Sequence, residues 1–154
     1  MLARAVVLML LLGGLATAKP PELGDPLPKE AQPSEGSLGS MIRWPSRTDH
    51  DYPTYRILQD GVPFLVGVDD NRRIVFIWTD QNTFKTPDGV VVGSSVDEAK
   101  SIARAAPHCL MAMACYFPLP SGWNAGFLDS HDPSSRGYPP GSRVTFIFKS
   151  AWVK

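Results

Sequence analysis

The chain carries few of the residues on which recognisable chemistry is built. Of its 154 residues three are histidine and two are cysteine. No P-loop, nucleophile elbow or H-E-x-x-H helix can be read along it. Fifteen lysines and arginines balance fifteen aspartates and glutamates, which removes the basic footprint that nucleic acid or anionic lipid attracts. There is also no internal repeat to suggest a solenoid or an array. These absences exclude nucleic-acid binding, and they leave no cofactor and no metal to expect. What is abundant is proline (15) and glycine (13). Both punctuate a chain into short elements and together exclude a helical bundle.

The first eighteen residues form an address. Arg4 precedes an apolar run, Ala5 to Leu12, too short to span a bilayer, and the stretch closes on Ala16-Thr17-Ala18. The pattern predicts a signal peptide over 1–18 with cleavage before Lys19. No cysteine follows that position, so no lipid anchor is expected and the mature chain is expected to be periplasmic or secreted, with no stable membrane attachment after cleavage. Residues 19–40 are rich in Pro, Glu, Ser and Gly and predict a flexible arm or one that hugs the surface. Residues 41–154 are expected to form a single domain, beginning near Met41-Ile42-Arg43-Trp44-Pro45.

Strand and turn signals dominate that domain. Tyr55–Leu58 and Val62–Val68 flank the turn Gln59-Asp60-Gly61, and Asp69–Arg72 leads into Arg73–Thr79, whose two faces are both apolar. A three-stranded meander with a central third strand follows from this. Ser95 stands three residues before Glu98, the spacing of a capping box. Val96, Ala99, Ile102, Ala103 and Ala106 then recur at helical spacing until Pro107. Met111–Phe117 is expected as a strand, 118–140 as mostly loop, and Arg143–Phe148 as a closing strand. The fold class expected is α+β: an antiparallel sheet of about five strands with one short capped helix on one face.

Cys109 and Cys115 are expected to pair, because an even cysteine count in an exported domain favours a disulfide. A straight strand between them would hold their α-carbons about 20 Å apart, whereas a disulfide requires less than about 7 Å. Pairing therefore forces the chain to reverse between them and leaves Met111 and Met113 in a small closed loop.

Candidate functional residues are sparse. His50 lies between Asp49 and Asp51, but neighbours in extended chain point apart and supply no convergent ligand set. Gly93-Ser94-Ser95 at a helix start could hold an anion, but the serines are better used as caps. Asp129-Ser130-His131-Asp132 has the residue types of a base and a nucleophile. It defines one alternative, a periplasmic hydrolase using His131 with Asp129 or Asp132. The preferred reading is a soluble, non-catalytic exported module that binds a protein or small-molecule partner. If it binds, its expected surface comprises Trp123, Asn124 and Phe127, with Met111, Met113 and Tyr116 from the neighbouring loop: aromatics for contact area, methionines for adaptability, an amide for orientation. The alternative, and the favoured reading of the Gly122–Phe127 loop itself, is a turn whose large aromatics plug the core.

The stretch from Thr86 to Ala99, TPDGVVVGSSVDEA, resembles a group of uncharacterised exported bacterial domains in which a strand meander passes through such a turn into a capped helix. Its helix start is more loosely similar to small outer-membrane assembly lipoproteins and β-lactamase-inhibitor-like modules. The chain departs from the looser group in having no anchor cysteine and in placing strands before the helix. The resemblance implies an exported domain and assigns no catalytic residue.

Overall fold

The computed structural model describes residues 19–34, 52–110, 114–128 and 138–153. They form one antiparallel sheet of eight strands: β1 (Gln32–Pro33), β2 (Thr54–Gln59), β3 (Val62–Val68), β4 (Ile74–Thr79), β5 (His108–Leu110), β6 (Ala114–Pro118), β7 (Asn124–Leu128) and β8 (Phe146–Ser150). The spatial order is β1-β2-β3-β4-β8-β7-β6-β5. The only helix among the described residues is α1 (Val96–Ile102). The expected α+β domain with about five strands is thereby corrected to a sheet-dominated fold.

The extra strands have physical reasons to be missed. β7 has the sequence Asn-Ala-Gly-Phe-Leu, poor in β-formers, and it exists because β6 and β8 pair with it on either side. β1 is two residues long and ends in proline. Of the expected strand over Met111–Phe117, Ala114–Phe117 belongs to β6 and residues 111–113 lie outside the described residues; β5 pairs antiparallel with β6 so that Cys109 faces Cys115.

Local signals place the meander where the sequence puts it. Asp60 (φ 49°) and Gly61 (φ 80°) both occupy the left-handed region and join β2 to β3 in a two-residue turn, the conformation whose twist matches paired strands. Between β3 and β4, Asp69 Oδ1 accepts the amides of Asn71 (2.9 Å) and Arg73 (2.8 Å). The β3–β4 register shifts between Gly67 and Val68. With Val68 opposite Ile74 and Gly67 opposite Phe76, Val75 is left as the inserted residue of a bulge. β4 is central, flanked by β3 and β8.

The two faces of the sheet are different. Ile57, Phe64, Val66, Val68, Ile77, Ile147, Phe117 and Phe127 line the inner face. It is closed by the long connection from β4 to β5, which contributes Phe84, Val90, Val96 and Ala99 to the same core. Ser95 caps α1 by accepting the Glu98 amide (3.0 Å). The helix stops at Ile102, earlier than its apolar spacing predicts, because the chain turns extended at Ala103 and the Arg104 amide is taken by the Pro118 carbonyl (3.0 Å).

Residues 19–34 hold to the sheet. The Gly24 and Leu27 amides donate to the Ile74 and Arg72 carbonyls (2.8 and 2.9 Å), β1 pairs with β2, and Leu27 enters the core. This is the surface-hugging form of the arm. Residues 35–40, the Met41–Pro45 stretch and residues 1–18, where a signal peptide is expected, lie outside the described residues.

Cys109 and Cys115 are disulfide-bonded across the β5–β6 hairpin, with α-carbons 4.0 Å apart. So short a loop gives about 2–3 kcal/mol in the chain-entropy account. Thiol-blocked native protein is expected to gain 2 Da only on reduction. Two alkylated thiols in native material would contradict the bond, and reduction should lower the melting temperature modestly.

Candidate functional site

Adjacent residues of a strand point to opposite faces, and this rule divides the expected binding surface. Trp123 and Phe127 both lie in the inner core at 2% exposure. Trp123 packs at 4.8 Å on Phe84 and Phe127 at 5.6 Å on Phe117. They fill the core and present nothing to a partner, so the aromatic-loop surface is withdrawn. Asn124 and Tyr116 belong to the other face, where Asn124 is paired with Phe148 and Tyr116 with Gly126. Met111 and Met113 lie outside the described residues, as do His50, Asp129, His131 and Asp132. His108 is exposed on β5 and stacks on Tyr116 at 5.3 Å.

The T-P-D-G segment is architectural. Thr86 Oγ1 accepts the Val90 amide (3.1 Å), and Gly89 (φ 92°) closes the turn by donating to the Thr86 carbonyl (2.9 Å). Asp88 reaches across to the β6–β7 turn, where it accepts both the Ser121 amide and the Ser121 hydroxyl. Ser94 Oγ accepts the Val91 amide (3.2 Å). Both serines are therefore engaged by backbone amides of their own segment, as caps rather than as an anion site.

The outer face carries the features that sequence reasoning missed. Residues opposed in register share a face, which aligns Arg56, Leu65, Trp78, Phe148, Asn124 and Pro118 in one row across β2, β3, β4, β8, β7 and β6. Beside this row Phe76 stacks on Phe148 at 5.7 Å, Trp78 lies along Phe146 at 6.4 Å, and Tyr116 meets Phe148 edge-on at 5.0 Å. Tyr52, Trp152 and Val153 pack against this aromatic layer. Its margins are open. The two large hydrophobic residues most exposed among the described residues, Leu58 (72%) and Leu128 (65%), both belong to this face, Leu58 opposite Pro63 and Leu128 opposite Ala114.

Two buried polar atoms in the row have no hydrogen-bond partner: Trp78 Nε1, a donor, and Asn124 Oδ1, an acceptor. The Asn124 amide nitrogen is used, donating to the Phe148 carbonyl (3.3 Å). A buried polar group left unpaired costs about 1–3 kcal/mol, so the row holds a donor and an acceptor whose pairing would be favourable. The sequence signal for this face is the alternation of Phe76 with Trp78 and of Phe146 with Phe148. That β4 and β8 are neighbours is not local information.

Among the described residues no three His, Cys, Asp or Glu side chains gather as a metal site, and no helix is long and apolar enough to cross a membrane. An antiparallel sheet plugged on one face by a loop–helix connection and lined on the other by aromatic residues is the class that this geometry defines. No family model, no curated protein and no solved structure matches the chain.

Proposed function

We propose that this protein is an exported, non-catalytic binding module, and that its contact surface is the outer face of β2–β4: Leu58, Pro63, Leu65 and Trp78, rimmed by Arg56. The occupant it suits is an apolar peptide segment of a protein partner. The observation that carries this reading is the strip of exposed leucine and proline leading to a half-buried tryptophan. Such a strip supplies apolar contact area, with an aromatic ring at its inner end as an anchor. The signal-peptide pattern and the resemblance of the Thr86–Ala99 stretch to exported bacterial domains support the location outside the cytoplasm.

The test is an NMR titration with N-acetyl-leucyl-leucinamide as the probe. The indole N–H resonance of Trp78 is expected to move while that of buried Trp123 stays in place, and Leu58→Ser should weaken the response several-fold. A Trp78 resonance unmoved at millimolar probe, or moved equally in Leu58→Ser, would overturn the assignment of this face.

A further inference from the structure

Lys19 is the residue before which cleavage is expected, and its backbone nitrogen donates to Asp60 Oδ2 at 2.9 Å. Forty-one positions of sequence separate the two groups, so the contact is tertiary. We propose that Asp60 is the receptor for the α-ammonium group that leader removal creates at Lys19, so that processing locks the N-terminal arm onto the β2–β3 hairpin. The proposal rests on the export reading above and deepens it.

The chemistry of the cut gives the contact its significance. Hydrolysis of the Ala18–Lys19 peptide bond by a leader-processing peptidase consumes one water, leaves a carboxylate on Ala18 and frees the Lys19 nitrogen, which takes up a proton at neutral pH. Before the cut that nitrogen is a neutral amide with a single N–H. Afterwards it is a cation with three, facing a carboxylate at hydrogen-bond distance, and a neutral contact becomes a charge-assisted one.

The fold holds both partners in position. On one side, Pro20 and Pro21 fix their own φ angles, and Pro21 is buried. Glu22 donates its amide to Asp25 Oδ2 (3.1 Å), and Leu23 packs against the core. The side chain of Lys19 turns instead to Glu22, at 3.7 Å, which leaves its backbone nitrogen to Asp60. On the other side, Asp60 is held by the left-handed turn it shares with Gly61. An aspartate in that turn needs only to be compatible with positive φ, and asparagine serves the turn equally well. The carboxylate is therefore surplus to the hairpin, and the N-terminus is the group it meets.

Asp60→Asn preserves the turn and removes the charge, so the variant is expected to fold. Full-length protein with its leader is expressed in a bacterial host, recovered from outside the cytoplasm, and its N-terminus is sequenced. The sequence is expected to begin Lys19-Pro20-Pro21. The α-amine is then acylated at neutral pH with a limiting amine-selective ester. Asp60→Asn should react about two- to fivefold faster than the parent, the range a single exposed ion pair commands, and the difference should vanish in urea. An N-terminus elsewhere, or a retained leader, overturns the cleavage on which the proposal stands. An N-terminus at Lys19 with equal rates in both folded proteins leaves the export reading intact and overturns the role of Asp60.

Discussion

Gly126→Ala is expected to remove about 3 kcal/mol or more of stability, at the upper end of what overpacking costs. A β-carbon at this position would lie 2.0, 2.2 and 2.5 Å from three ring carbons of Phe146, the residue opposite it on β8. Relief by rotating the ring is obstructed, because Trp78 lies along it at 6.4 Å and Phe148 beside it at 6.1 Å. The ring covers the glycine backbone, and the glycine exists so that it can. Thermal unfolding followed by circular dichroism should show a fall of about 10 °C or more for a chain of this size. In a Phe146→Ala background the same substitution should cost close to nothing, since the atoms it strikes are gone. Equal costs in both backgrounds would refute the clash.

Trp123→Ala should be comparably severe, about 3–5 kcal/mol, as expected for deleting a fully buried aromatic side chain. Trp123 joins the β6–β7 turn to the connection that plugs the inner face through its contact with Phe84, and Phe84 in turn meets Phe64 of β3 at 5.3 Å. Lys149 Nζ lies 5.8 Å from the indole centroid, over the ring. Loss of the indole opens a cavity at a junction of three elements. A melting temperature within about 2 °C of the parent would show the ring to be dispensable to the core. That outcome would return Trp123 to the list of contact residues.

The aromatic loop had two readings, a contact surface and a core plug, and the burial of both rings decides for the plug. Gly122-Trp123-Asn124-Ala125-Gly126-Phe127 resembles a contact loop because glycines and an amide separate two large rings. Once β6 and β8 flank the segment, it becomes a strand, and strand parity sends Trp123 and Phe127 inward and Asn124 outward. No local rule predicts that pairing, since β7 lacks the β-branched residues that announced β3 and β4. The same holds for Gly126, which reads as a loop glycine and is a close-approach position beneath a ring.

By itself the sequence determined what depends on near neighbours. The Asp60-Gly61 turn, the Asp69 turn, the Ser95 cap and the reversal imposed by Cys109 and Cys115 are each settled within a few residues, where backbone φ preferences and short-range hydrogen bonds decide the conformation. The tertiary structure alone decided which strands became neighbours across 60 or more residues, as β8 did with β4. It thereby decided that Leu65, Trp78, Phe148 and Asn124 share a row, and that the Lys19 nitrogen meets Asp60. Those outcomes turn on the joint burial of side chains from distant segments, a sum over the whole core that no window of sequence contains.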